Sequence, residues 1–216
     1  PHLLSPFRLG AHELKNRIAF IATVSNFGVE NRITPRMIDF YAARAQGGAG
    51  MIVTEGMVVH PTSIPIPTIV DLTDPANGEG LKRLAEAVER EGCRLLGQLW
   101  HVGRQQLWNP VASPWGVSDQ PDALSWSVPH VMAVAEIREL AEAFVAGARR
   151  LRDAGFSGAE LHGAHGYLIT QFLSPWSNSR RDEYGGDLEG RTLFLREVIA
   201  GIRDECGPDF LLGMKM

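Results

Sequence analysis

The sequence predicts an α/β fold of the (β/α)8 TIM-barrel type, of which its 216 residues supply an N-terminal hairpin and roughly the first five strands. Three observations predict it. Short apolar runs alternate with amphipathic segments at helical spacing, the pattern of parallel strands joined by packed helices. The first strand-to-helix junction reads Ala22-Thr23-Val24-Ser25-Asn26-Phe27-Gly28 and has no GxGxxG, which counts against an open dinucleotide-binding sheet. Polar and aromatic residues collect after each strand, where a barrel carries its active face. Five strands do not close an eight-stranded barrel. Residues 1–216 are therefore expected to be the N-terminal part of a single domain whose remaining strands lie outside this sequence.

Phe7 to Lys15 reads as a hairpin turning near Gly10-Ala11. Ile18 to Ala22 is a continuous apolar run, expected as a strand buried on both faces. A polar loop from Thr23 to Ile33 leads to Thr34-Pro35, an N-cap followed by proline at the first helical position. That helix shows Met37, Ile38, Tyr41, Ala42 and Ala45 on one face and stops at Gly47-Gly48. The unit then repeats. Gly50 to Thr54 is a second strand, followed by a proline-rich loop through Pro67 and a helix carrying Leu81, Leu84, Ala85 and Val88. Arg94 to Leu99 is a third strand, followed by a long loop from Trp100 to about Pro129. Ile137, Leu140, Ala141, Phe144, Val145, Ala148 and Leu151 mark the cleanest amphipathic helix. Gly158 to His162 is the fourth strand, a helix spans about Gly190 to Cys206, and Phe210 to Met216 begins a fifth strand.

With 44% hydrophobic residues the chain can build a core. Its net charge of −4 is interspersed, with no basic cluster, so nucleic acid and anionic membranes are poor partners. Cys93 and Cys206 are far apart and form no CxxC, which suits reduced, buried thiols. No leader-like N-terminus and no 18-residue apolar run occur, so a cytoplasmic protein is expected.

The chemistry concentrates at Glu160-Leu161-His162-Gly163-Ala164-His165-Gly166-Tyr167, where a strand end releases two imidazoles and a phenol. The other strand ends offer Ala22-Thr23-Val24, Glu55-Gly56, Gln98 with His101 and Arg104, and Lys215. No carboxylate pair stands there for glycoside chemistry, and no serine sits on a GxSxG elbow. His162 and His165 could also ligate a metal with Glu160 on the same side of the strand, an incomplete set for a metal-dependent TIM-barrel hydrolase. Lys215 sits among apolar strand residues, where a cation reads as a partner for an anionic group. Trp100, His101, Trp108 and Trp126 suggest an aromatic wall.

Five collinear segments resemble the Old Yellow Enzyme family: Leu14 to Ile18, Gly97 to Arg104, His162 to Leu168, Phe172 to Gly186, and Arg191. These are FMN-dependent NADH:flavin oxidoreductases and ene reductases, with dienoyl-CoA reductase and trimethylamine dehydrogenase as relatives. The resemblance implies non-covalent FMN across the top of a (β/α)8 barrel, reduced by NAD(P)H as co-substrate. Ala22, Thr23 and Val24 with Gly56 would border the flavin ring, and the Gln98 amide would bond its pyrimidine edge. Lys215 would stand beside the N1/O2 edge. His162 and His165 would bind a substrate carbonyl, hydride would pass to the β-carbon of a conjugated C=C, and Tyr167 would protonate the α-carbon. Val24 departs from the Cys or Thr many members carry there and excludes a cysteinyl link to the flavin. Asn26 stands where some bacterial members use Tyr. The resemblance further implies a small-molecule substrate and a homo-oligomer at full length, with 4Fe-4S and FAD only if a C-terminal extension exists. A flavin-dependent amine dehydrogenase or N-demethylase of the same fold, and a non-catalytic scaffold, stay open at this point.

Overall fold

Five strands run parallel in one sheet, in the order β3 (Ala19–Phe20), β4 (Met51–Val58), β5 (Arg94–Trp100), β8 (Gly158–His162), β9 (Leu211–Lys215). The computed structural model describes residues 2–63, 66–106, 113–125 and 127–216. An antiparallel hairpin, β1 (Phe7–Leu9) and β2 (His12–Leu14), precedes the sheet. It turns at Gly10, whose φ of 56° is open to a residue without a side chain. Leu9 packs with Val53, Leu96 and Leu211, and His12 Nε2 lies 2.8 Å from the Asp209 carbonyl. The hairpin therefore covers the end of the sheet opposite the strand C-termini.

Each helix starts and stops for a local reason. The Thr34 hydroxyl accepts from the Met37 N–H and caps α1 (Pro35–Gln46). α2 (Gly78–Glu89) follows a 3₁₀ turn over Pro75–Asn77. α3 (Val134–Asp153) and α5 (Leu188–Cys206) lie side by side on the outer face, and the Asp187 carboxylate caps α5 through the Gly190 N–H. Outward strand residues Ile52, Leu95, Leu99 and Leu161 join Tyr41, Leu84, Phe144, Leu151 and Phe194 in one buried core. Gly97 is needed in this contact, because a Cβ there would come within 2.5 Å of the Leu151 side chain. With Gly97 turned outward, strand alternation turns Gln98 inward.

The half-barrel of parallel strands agrees with the predicted fold class, and the elements differ from expectation in several places. The first strand is two residues long rather than Ile18 to Ala22, and it is not buried on both faces: Ile18 is 38% and Ile21 57% exposed. It pairs with β4 alone, so its other edge has no strand against it among the described residues. β4 runs four residues past Thr54, taking in Glu55 and Gly56, and its register with β5 shifts between Val53 and Gly56, an irregularity of the kind that re-aims a strand end. The long third loop holds a small parallel pair, β6 (Trp115–Gly116) and β7 (His130–Val131). A short helix, α4 (Leu168–Leu173), follows the histidine segment, where the sequence reading assigns no element. Cys93 is buried and Cys206 only half-buried, and both are free thiols. No helix among the described residues is long and apolar enough to cross a membrane.

Candidate active site

β8 ends at His162, and the chain turns at once through Gly163, Ala164, His165 and Gly166. A Cβ on Gly163 would lie 2.8 Å from the Met214 sulfur, so β9 can pass close by only because glycine is there. His165 adopts φ 61°, the left-handed region that non-glycine residues rarely occupy. That conformation folds its ring back toward β8, leaving His165 Nδ1 3.3 Å from His162 Nε2. Tyr167 precedes α4, with its ring 4.9 Å from that of His162 and 5.0 Å from that of Trp100.

These groups line one cleft of about 150 Å³ together with Ala22, Thr23, Val24, Gly56 and Gln98. Eight of the nine residues expected at the site therefore share a single wall with Trp100. Lys215 does not line the cleft. It stands on β9 in register with His162, half-buried, and its charge bears on that imidazole. Complete small-molecule sites enclose roughly 300–1,000 Å³, so the described residues make up part of a pocket.

Electrostatics fix the protonation states. Burial, aided by neighbouring His165 and Lys215, pushes the His162 pKa down to about 4, so the ring is neutral at pH 7. The Ala164 N–H points at His162 Nδ1 at 3.4 Å, which makes Nδ1 the acceptor and puts the ring proton on Nε2, the atom facing His165. Burial raises the pKa of Tyr167, which keeps its hydroxyl proton available.

The surroundings hold this arrangement from three sides. Gln171 on α4 donates to the carbonyls of Val102 and Gly166 and accepts from the Arg104 N–H, tying the segment after β5 to the histidine turn. His101, behind Trp100, accepts from Gly103 N–H at Nδ1 and faces Thr62 Oγ1 at 3.0 Å; Thr62 leads to His60 and then to Glu139 at the surface. Burial and His60 push the His101 pKa down to about 3. Glu55, buried under the turn after β3, accepts the Ser25 N–H at 2.5 Å, and its pKa is raised by burial.

Of the expected aromatic wall, Trp100 is in the cleft and His101 is behind it, while Trp108 and Trp126 lie outside the described residues. The side chain of Asn26 accepts from Thr68 and does not line the cleft. Glu160, the carboxylate a metal site would need, accepts from Gln98 at 2.7 Å, and no group of three or more metal-ligating side chains converges among the described residues. Sequence reasoning placed Glu55 at a strand end without a role and missed Gln171, for which the one available signal was a polar residue within an apolar segment.

Comparison with known proteins follows the same lines. The family described as NADH:flavin oxidoreductase / NADH oxidase matches residues 2–216. The chain is 36% identical over 212 residues to a metal reductase of Desulforamulus reducens, covering 96% of this chain and 31% of that protein. A 2-naphthoyl-CoA reductase in complex with 2-naphthoyl-CoA superposes with a TM-score of 0.91 at 34% identity, over 99% of this chain and 35% of that one. An old yellow enzyme homologue from Zymomonas mobilis gives 0.89 at 27% identity, over 99% of this chain and 63% of that one. The chain thus spans between about a third and three-fifths of the length of these relatives.

Proposed function

The chain belongs to the NADH:flavin oxidoreductase / NADH oxidase family, the family of the Old Yellow Enzymes, and on that premise we propose that its protein is an FMN-dependent oxidoreductase reducing activated C=C bonds with NAD(P)H. Residues 1–216 are then the N-terminal part of one FMN-binding barrel domain. The observation that carries the reading is an imidazole pair, its His162 ring neutral, whose facing nitrogens are 3.3 Å apart beside a protonated phenol.

The residues present fit a flavin. Among the described residues, Trp100 Nε1 is a buried donor without a partner, and Gln98 offers a carbonyl oxygen to which no protein donor is directed. Ala22 and Val24, the latter 46% exposed, give the same cleft an apolar flank. Gln98 and Lys215 would hold the polar end of the ring, and the backbone of Ala22 to Val24 with Gly56 would border its flank. When bound, FMN supplies two-electron hydride chemistry.

The chain's own residues do the rest. A carbonyl oxygen seated between His162 Nε2 and His165 Nδ1 needs both nitrogens to carry hydrogen. Two N–H donors aimed at that oxygen stabilise negative charge developing on it, and so draw electron density from a conjugated C=C. Because the His162 ring is neutral, it holds the oxygen without protonating it. Tyr167, its proton retained at neutral pH, is positioned to deliver that proton to the α-carbon. Trp100, ring to ring with His162 and Tyr167, excludes water from this corner.

The test is anaerobic titration of the full-length protein loaded with FMN. NAD(P)H should bleach the visible bands and cyclohexenone should restore them. Bleaching that no enone reverses would move the reading to amine oxidation. A protein that neither takes up FMN nor gains thermal stability from it would refute the reading.

A further inference from the structure

Gln98 and Glu160 are register partners on β5 and β8, and both side chains belong to the row that turns into the barrel. Gln98 Nε2 donates to Glu160 Oε1 at 2.7 Å. Glu160 is the acidic residue in a cavity of about 320 Å³ lined in large part by Met51, Val53, Leu96 and Leu211, and also by Arg203, whose guanidinium donates to the Phe210 carbonyl. Among the described residues its carboxylate makes this one hydrogen bond and no ion pair. A half-buried carboxylate that forms no ion pair is costly, and an apolar side chain would pack there more cheaply. Its presence calls for a role that only an acceptor can fill.

A side-chain amide has nearly the same shape with its oxygen and nitrogen exchanged, so packing alone does not orient it. A carboxylate has only acceptor atoms. It can be satisfied by the NH2 half of Gln98 and by nothing else, which turns the Gln98 carbonyl oxygen the other way. Gln98 is 4% exposed and lines the cleft, and among the described residues no protein donor meets that oxygen. Whatever ring edge lies against it must bring its own N–H.

We infer that Glu160 is a positioning residue that locks the Gln98 amide with its oxygen toward the cleft, so that the site selects a heteroaromatic edge carrying an imide N–H. The inference rests on the flavin reading above, because the pyrimidine edge of FMN has such an N–H at N3. Glu160 touches neither the cofactor nor the substrate in this role and acts through Gln98.

The test uses the full-length apoprotein and two probes, FMN and FMN methylated at N3, with binding followed by flavin fluorescence. The wild type should prefer FMN by ~10-fold or more, since the methylated ring leaves a buried acceptor unpaired. Glu160→Gln keeps the size but can both donate and accept, so the amide is free to turn. FMN affinity should fall several-fold and the preference should shrink toward unity. Glu160→Asp keeps an acceptor-only group and should retain most of the preference, a split that general loosening of the barrel does not produce. Unchanged preference in Glu160→Gln, with both flavins bound, would overturn the inference and leave the cofactor reading standing. Failure of the wild type to bind either flavin would remove the cofactor reading, and this inference with it.

Discussion

His101 provides a stability test worked directly from its surroundings. It is 2% exposed, its Nδ1 accepts from the Gly103 N–H and its Nε2 faces Thr62, so a second ring proton would have to sit on Nδ1, directly against the Gly103 N–H donor. Its folded pKa of about 3 lies below its ordinary 6.5. Between those values the unfolded chain binds a proton that the native state refuses. Stability from this residue is fully present above pH 6.5 and is lost as pH falls toward 3. Each unit is worth ~1.4 kcal/mol, so one such site removes about 3 kcal/mol between pH 6.5 and 4.5. The perturbation is His101→Gln, which keeps an amide donor within reach of Thr62 but takes up no proton. The assay is urea unfolding of the full-length protein at half-unit steps from pH 7 to 4.5, read as the difference between wild type and variant. His162 and the carboxylates titrate in both proteins and cancel. The stability gap at pH 7 should close steadily on acidification. Parallel curves over that window would refute the reasoning.

Other expectations follow from the same geometry. Gly103→Ala should cost ~2–3 kcal/mol in urea unfolding, because φ is 59° and the new Cβ would meet the Gln171 amide at 2.4 Å, disturbing bonds to Val102, Gly166 and Arg104. Tyr167→Phe should lower enone-dependent kcat by ~10²–10⁴-fold while NAD(P)H oxidation by the loaded flavin persists, measured by stopped flow. With no ligand, the His162 Nε2–H can only be accepted by His165 Nδ1, so a saturated ketone such as cyclohexanone should convert His165 Nδ1 from an acceptor to a donor. Nitrogen-15 NMR of labelled histidines reads that change.

Much of the fold was legible because its signals are local and periodic. The Thr34-Pro35 start of α1, the apolar stripe of α3 and the run ending at His162 each carry their own pattern, and each formed where expected. α4 was missed because six residues hold less than two helical turns. Leu168, Ile169 and Phe172 are buried in it, but three apolar positions in so short a span also suit a loop. The first strand was read as longer and more buried than it is, because burial on its second face depends on whatever packs there rather than on Ile18 and Ile21. The site residues were legible as strand-end chemistry. Their supports were not: the Gln98–Glu160 bond spans 62 positions, Gln171 reaches back 69 to Val102, and no short-range pattern encodes either. The left-handed turn at His165, which sets the imidazole pair, is likewise invisible in composition.

The central claim is that the imidazole pair serves the substrate's carbonyl rather than reduction of the flavin. His162→Ala in the full-length, FMN-loaded protein separates the two. The rate of flavin bleaching by NAD(P)H should stay within a few-fold of wild type, while reoxidation by cyclohexenone should fall by ~10²-fold or more, the scale of losing an oxyanion donor. Equal losses in both half-reactions, or no loss in either, would contradict the account.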